Sequence, residues 1–105
     1  AGNVIVDYLK NNPVDAIIAL DTDASLAALK AVKISGKQIP SDVAVIGYAS
    51  ERIAHNLTPE LTTINQHSYT IGNAAATMMV EALRTKSKDT KEVVVSSTLS
   101  VRDSS

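Results

Sequence analysis

Apolar residues recur along the chain in two rhythms, and the switch between them marks out the elements. Val4, Ile5, Tyr8 and Leu9 stand at helical spacing, so Asn3 to Asn12 predicts a helix that Asn11, Asn12 and Pro13 bring to an end. Asp15 to Leu20 is a short apolar run without polar alternation, the pattern of a strand covered on both faces of a parallel sheet. Asp21 or Thr22 caps a second helix reaching about Ser35. Asp23 falls in its first turn, near the positive dipole end, and Gly36 supplies the stop. The chain then turns through Pro40 into a second apolar strand, Val43 to Gly47, and strand, helix, strand in this order is a right-handed crossover unit.

The second half repeats the alternation. Mixed polar residues after Tyr48 predict one short helix ending by Asn56. Thr58-Pro59 marks a boundary, and Leu61 to Asn65 reads as extended. Ile71, Ala74, Ala75, Met78, Met79, Ala82 and Leu83 recur every three or four residues, giving an amphipathic helix from about Ser68 to Lys86 whose methionines are expected to fill a core. Lys86 to Lys91 is a charged loop, and Val93-Val94-Val95 with Leu99 and Val101 reads as a closing strand. The whole predicts an α/β fold, a mainly parallel sheet flanked by helices, whose ligands sit beyond the carboxyl ends of the strands. Attention therefore falls on Asp21-Thr22-Asp23 and on Tyr48-Ala49-Ser50.

Composition narrows the functions open to such a fold. The chain has 105 residues, enough for one small domain, and its three tyrosines are its only aromatics. A formal charge of −1 lacks the basic footprint that phosphate neutralisation requires, so this segment is not expected to bind DNA directly. The lack of cysteine excludes disulfides and thiolate catalysis. No apolar run is long enough for a membrane span, and no signal-peptide pattern opens the chain, so a soluble location is expected.

Candidate chemistry is sparse. Asp21 and Asp23 directly after a strand look like the opening of a haloacid-dehalogenase-type phosphatase, with one Asp attacking phosphorus and the other working as acid and base. That chemistry needs a second acidic cluster, and the later strand runs into Gly47-Tyr48-Ala49-Ser50 without one. His55 and His67 have no ligand-spaced neighbours, no serine sits in a nucleophile elbow, and no glycine-rich phosphate loop is present. These residues predict neither an enzyme nor a cofactor or metal, and leave ligand binding.

From about Val14 onward the order of motifs resembles the C-terminal portion of the lac repressor (LacI/GalR) family. Val14 to Ala19 looks like the strand before that family's effector site, and Leu26 to Ala31 resembles the helix that follows. Gln38-Ile39-Pro40-Ser41-Asp42-Val43-Ala44-Val45-Ile46-Gly47-Tyr48 matches the family's Val-Pro-x-Asp-Val-Ser-Val-x-Gly-Phe/Tyr segment. Thr58 to Gln66, Ile71-Gly72 and Val101 to Ser105 complete the pattern.

The resemblance implies the C-terminal portion of a sensor domain, within a two-lobed, periplasmic-binding-protein-like (type I) module, with Asn65-Gln66 near a crossover between lobes. It also implies an effector, a sugar in many members, held by a polar residue at Asp21 and an Asp at the place of Ala49. Ala49 cannot accept that hydrogen bond, which leaves Asp21 to carry the polar load with Ser50 or Gln66; the alternative is that Asp21 only caps its helix. A homodimer is implied through Leu26, Ile53, Asn56 and Leu57, and DNA binding through an N-terminal helix-turn-helix that this segment does not contain. A periplasmic-type sugar-binding protein shares the fold and is the second reading.

Overall fold

The computed structural model describes residues 2–86 and 88–105. They form two compact units: one takes the chain up to Asn65 together with Leu99–Ser105, the other is Gln66–Thr98.

The first unit begins with α1 (Gly2–Asn11), β1 (Ala16–Ile18), α2 (Thr22–Ile34) and β2 (Ala44–Gly47), and continues with α3 (Glu51–His55) and β3 (Thr62–Asn65). The sheet has the order β1-β2-β3-β4, where β4 is Thr98–Ser100. β1 and β2 pair in parallel with Ile17 opposite Val45, and β2 and β3 pair in parallel with Ile46 opposite Thr62. Consecutive parallel strands joined by α2 and α3 are the crossover arrangement that the sequence pattern predicts.

Strand alternation decides which side chains enter the core. Ile17 and Val45 share one face, where Leu9 of α1 and Ala28, Leu29 and Val32 of α2 cover them. Val32, Val43, Val45 and Leu61 are fully buried, each worth about 1.5–3 kcal/mol relative to exposure. Ala16, Ile18, Ala44 and Ile46 lie on the opposite face, and Ile18 is 62% exposed. The expectation that Asp15 to Leu20 is covered on both faces is therefore corrected. Among the described residues, the helices of this unit cover the Ile17 side of the edge strand β1.

Both ends of α2 are closed by specific bonds. Asp21, in extended conformation, accepts the Ala24 amide at 2.7 Å. At the other end Gly36, at φ +75°, donates to the Lys33 carbonyl while Lys37 reaches back to Val32, the paired bonds of a Schellman stop. Lys33 also donates through Nζ to the Thr58 carbonyl, tying this end of the helix to the turn before β3.

The C-terminal tail is sewn into the sheet. Buried Ser104 donates through Oγ to the Val45 carbonyl at 2.5 Å and accepts the Thr62 amide at 2.8 Å, bridging β2 and β3. Its own backbone pairs with Val45 and Glu60. Arg102 donates to the Leu61 carbonyl and to Thr63 Oγ1.

The second unit carries α4 (Ser68–Thr85), preceded by His67 and followed by Lys86, both in the left-handed region. None of its described residues is buried: Ile71, Met79, Val80 and Leu83 are 45–70% exposed. The expected core role is corrected for Met79, while Met78 is half-buried; an amphipathic face is buried only against a second layer, and among the described residues of this unit α4 is the single helix. Val93 to Val95 do not form the expected strand either. A strand needs a ladder partner, and among the described residues of 88–97 no extended pairing forms. The strand appears only at Thr98–Ser100, where β3 lies alongside. Of the predicted Lys86 to Lys91 loop, Ser87 lies outside the described residues.

Candidate functional site

The parallel strands β1 and β2 end side by side, and each runs through a short loop into a helix. Ladder bonding continues just past β1, where Ala19 donates to the Ile46 carbonyl at 2.8 Å. The first loop then presents Leu20, 78% exposed, and the exposed Asp21. The second presents Tyr48, Ala49 and Ser50. Ser50 caps α3 as Asp21 caps α2, its Oγ accepting the Ile53 amide at 3.3 Å. Ala49 is half-buried and packs against the hydrophobic core, so its methyl forms floor rather than polar lining.

One residue joins the two loops. Ser25, on the first turn of α2, is fully buried; its Oγ donates to the Asp21 carbonyl at 2.6 Å and accepts the Tyr48 amide at 3.0 Å. Gly47 makes this approach possible, since a Cβ there would stand 2.1 Å from Ser25 Oγ and 2.7 Å from Ser25 Cβ. Sequence reasoning passed over Ser25, weighing it only as a nucleophile. Its signal was indirect: a small polar residue one turn into a helix and a glycine ending the adjacent strand.

Of the residues singled out from sequence, the fold brings Asp21, Ala49 and Ser50 to one edge of the sheet through this tie. Gln66 is exposed and opens the second unit. Leu26 and Ile53 keep 37% and 38% exposure, Asn56 closes α3 with its side chain donating to the Arg52 carbonyl, and Leu57 packs against the core. The edge offers a carboxylate, a hydroxyl and exposed apolar surface, groups suited to a polyhydroxylated ligand. Among the described residues no three His, Cys, Asp or Glu side chains gather as a metal site, and Asp21 Oδ1 is engaged by the Ala24 amide. The phosphatase reading gains nothing from this geometry.

The model of the periplasmic binding protein-like domain matches residues 3–105. The chain belongs to that family. Within it, the chain resembles LacI-type regulators. It is 33% identical over 91 residues to the HTH-type transcriptional regulator CelR of Thermobifida fusca, covering 87% of this chain and 27% of that protein. A solved complex of a transcriptional regulator CelR with cellobiose superposes with a TM-score of 0.86 at 28% identity, covering all of this chain and 34% of the other. A LacI family regulator from Arthrobacter sp. FB24, in complex with lactose, gives 0.88 at 26% identity over 98% of this chain and 39% of its own. The chain thus spans little more than a quarter of the curated regulator and up to about two fifths of these solved ones. Among the described residues no helix is long and apolar enough to cross a membrane.

Proposed function

We propose that this chain is the effector-binding and dimerisation segment of a bacterial transcription regulator, coupling a small molecule, a sugar, to DNA binding by an N-terminal helix-turn-helix. The observation that carries the reading is the paired strand-end loops, with Asp21 and Ser50 exposed at the carboxyl edge of a parallel sheet. The sugar class is supported by the relatives whose structures hold cellobiose and lactose. Effector binding shifts the regulator between two conformations, and differential affinity for them is what alters DNA binding. The segment turns nothing over and works in the cytoplasm, as a homodimer in which Leu26 and Ile53 supply apolar contact and Asn56 the polar rim.

The test is thermal unfolding of the intact regulator with cellobiose and lactose, comparing wild type with Asp21→Ser, which keeps a capping oxygen but shortens the carboxylate away. A sugar at about a hundred times its Kd stabilises by roughly 2.7 kcal/mol. A midpoint shift present in wild type and lost in Asp21→Ser supports the site. A shift that survives the substitution places the sugar elsewhere.

A further inference from the structure

We propose that Ser25 is a positioning residue: it holds the loop carrying Asp21 and the loop carrying Ala49 and Ser50 in one fixed relation, so that the groups meeting an effector are set before it arrives. This rests on the effector-site reading above.

Two serine hydroxyls bond back onto α2, the buried one at Ser25 and the half-buried one at Ser35, which caps its far end. Ser35, near the far end of α2, makes the ordinary back-bond of a helical serine, its Oγ donating to the Ala31 carbonyl four residues earlier at 2.8 Å. Ser25 makes the same local bond to Asp21, at 2.6 Å, and adds a partner 23 residues away, the Tyr48 amide at 3.0 Å. A hydroxyl has one proton to give and lone pairs to receive with. Donating to Asp21 and accepting from Tyr48 uses both capacities, and one oxygen then sets the distance between two loops.

The neighbours are shaped to this contact. Gly47 removes the Cβ that would collide with Ser25, which lets the end of β2 close directly onto the first turn of α2. Nothing at Ser25 reaches solvent, so its hydroxyl meets no ligand and acts only through the loops it joins. The Asp21 carbonyl also receives the Ser25 backbone amide at 3.0 Å. In Ser25→Ala that bond survives, and the loss falls on the Tyr48 amide and on the tie between the loops. Freedom returned to loops that must be ordered in the complex weakens binding.

The experiment uses the intact regulator as wild type, Ser25→Ala and Ser35→Ala, with Tyr48 amide exchange read by NMR and cellobiose and lactose affinity read by calorimetry. Ser25→Ala is expected to speed Tyr48 exchange about tenfold and to weaken sugar binding about five- to tenfold, the scale of one hydrogen bond. Ser35→Ala is expected to lower stability while moving neither readout. Unchanged Tyr48 exchange in Ser25→Ala overturns the tie. Faster exchange with unchanged affinity, or an equal loss of affinity in Ser35→Ala, overturns the positioning role. A wild type that takes neither sugar contradicts the effector reading, and the positioning role with it, while Tyr48 exchange still decides whether the tie exists.

Discussion

Removing one oxygen from the C-terminal tail should unfasten the sheet. Ser104 is fully buried, and its Oγ both accepts the Thr62 amide and donates to the Val45 carbonyl. Ser104→Ala deletes this bridge without changing the backbone bonds that Ser104 makes to Glu60 and Val45. Two buried backbone groups then lose their bond to the hydroxyl, although the 46–62 register still sets them facing each other in the β2–β3 ladder. A typical hydrogen bond contributes about 0.5–1.5 kcal/mol, so losing two puts the expected loss at roughly 1–3 kcal/mol. Ser105→Ala is the matched control. Its hydroxyl contacts Thr62 Oγ1 at 2.7 Å from an exposed position, and Thr62 Oγ1 keeps the Arg102 amide, so a loss within about 0.5 kcal/mol is expected. Equilibrium urea unfolding of the intact regulator measures both, with the midpoint falling and the slope unchanged if only stability is altered. A Ser104→Ala midpoint equal to that of Ser105→Ala would refute the claim that the tail bridges β2 and β3.

Three further tests probe other joints. Gly47→Ala forces a methyl against Ser25 and should cost about 1–3 kcal/mol or more in urea unfolding, a loss that Ser25→Gly partly offsets in the double variant; simple additivity would contradict the contact. Gly36→Ala places a side chain at φ +75° and should cost about 1 kcal/mol by the same assay, although nothing crowds the position. Leu26→Glu with Ile53→Glu should shift the regulator from dimer to monomer in sedimentation while leaving its circular dichroism unchanged, because both side chains are more than a third exposed; an unaltered dimer would remove these residues from the interface.

The alternation of helices and strands was legible because it depends on local pattern. Aliphatic runs at Ala16 and Val43, the cap at Asp21 and the glycine stop at Gly36 each announce themselves within a few residues. Layering was not. Whether Ile18 or Met79 is buried depends on what lies across from it, and a helix with an apolar face reads the same in sequence with or without a covering layer. The Val93 to Val95 segment misled for a related reason: β-branched residues favour extended backbone, but a strand exists only where a neighbour completes its hydrogen bonds. At the site, the exposed ends of the strands followed from topology, so Asp21 and Ser50 could be named in advance. Ser25 and Ser104 could not, because each joins segments distant in sequence and the partners are backbone groups, which every residue carries.

In the proposed function a sugar binds across the two loops at the carboxyl edge of the sheet. Hydrogen–deuterium exchange of the intact regulator, with and without saturating cellobiose or lactose, tests it directly. Within this chain, protection is expected in residues 20–25 and 47–50, with no change in the tail at 101–105. Protection that leaves both loops untouched, with binding established by calorimetry, would contradict it.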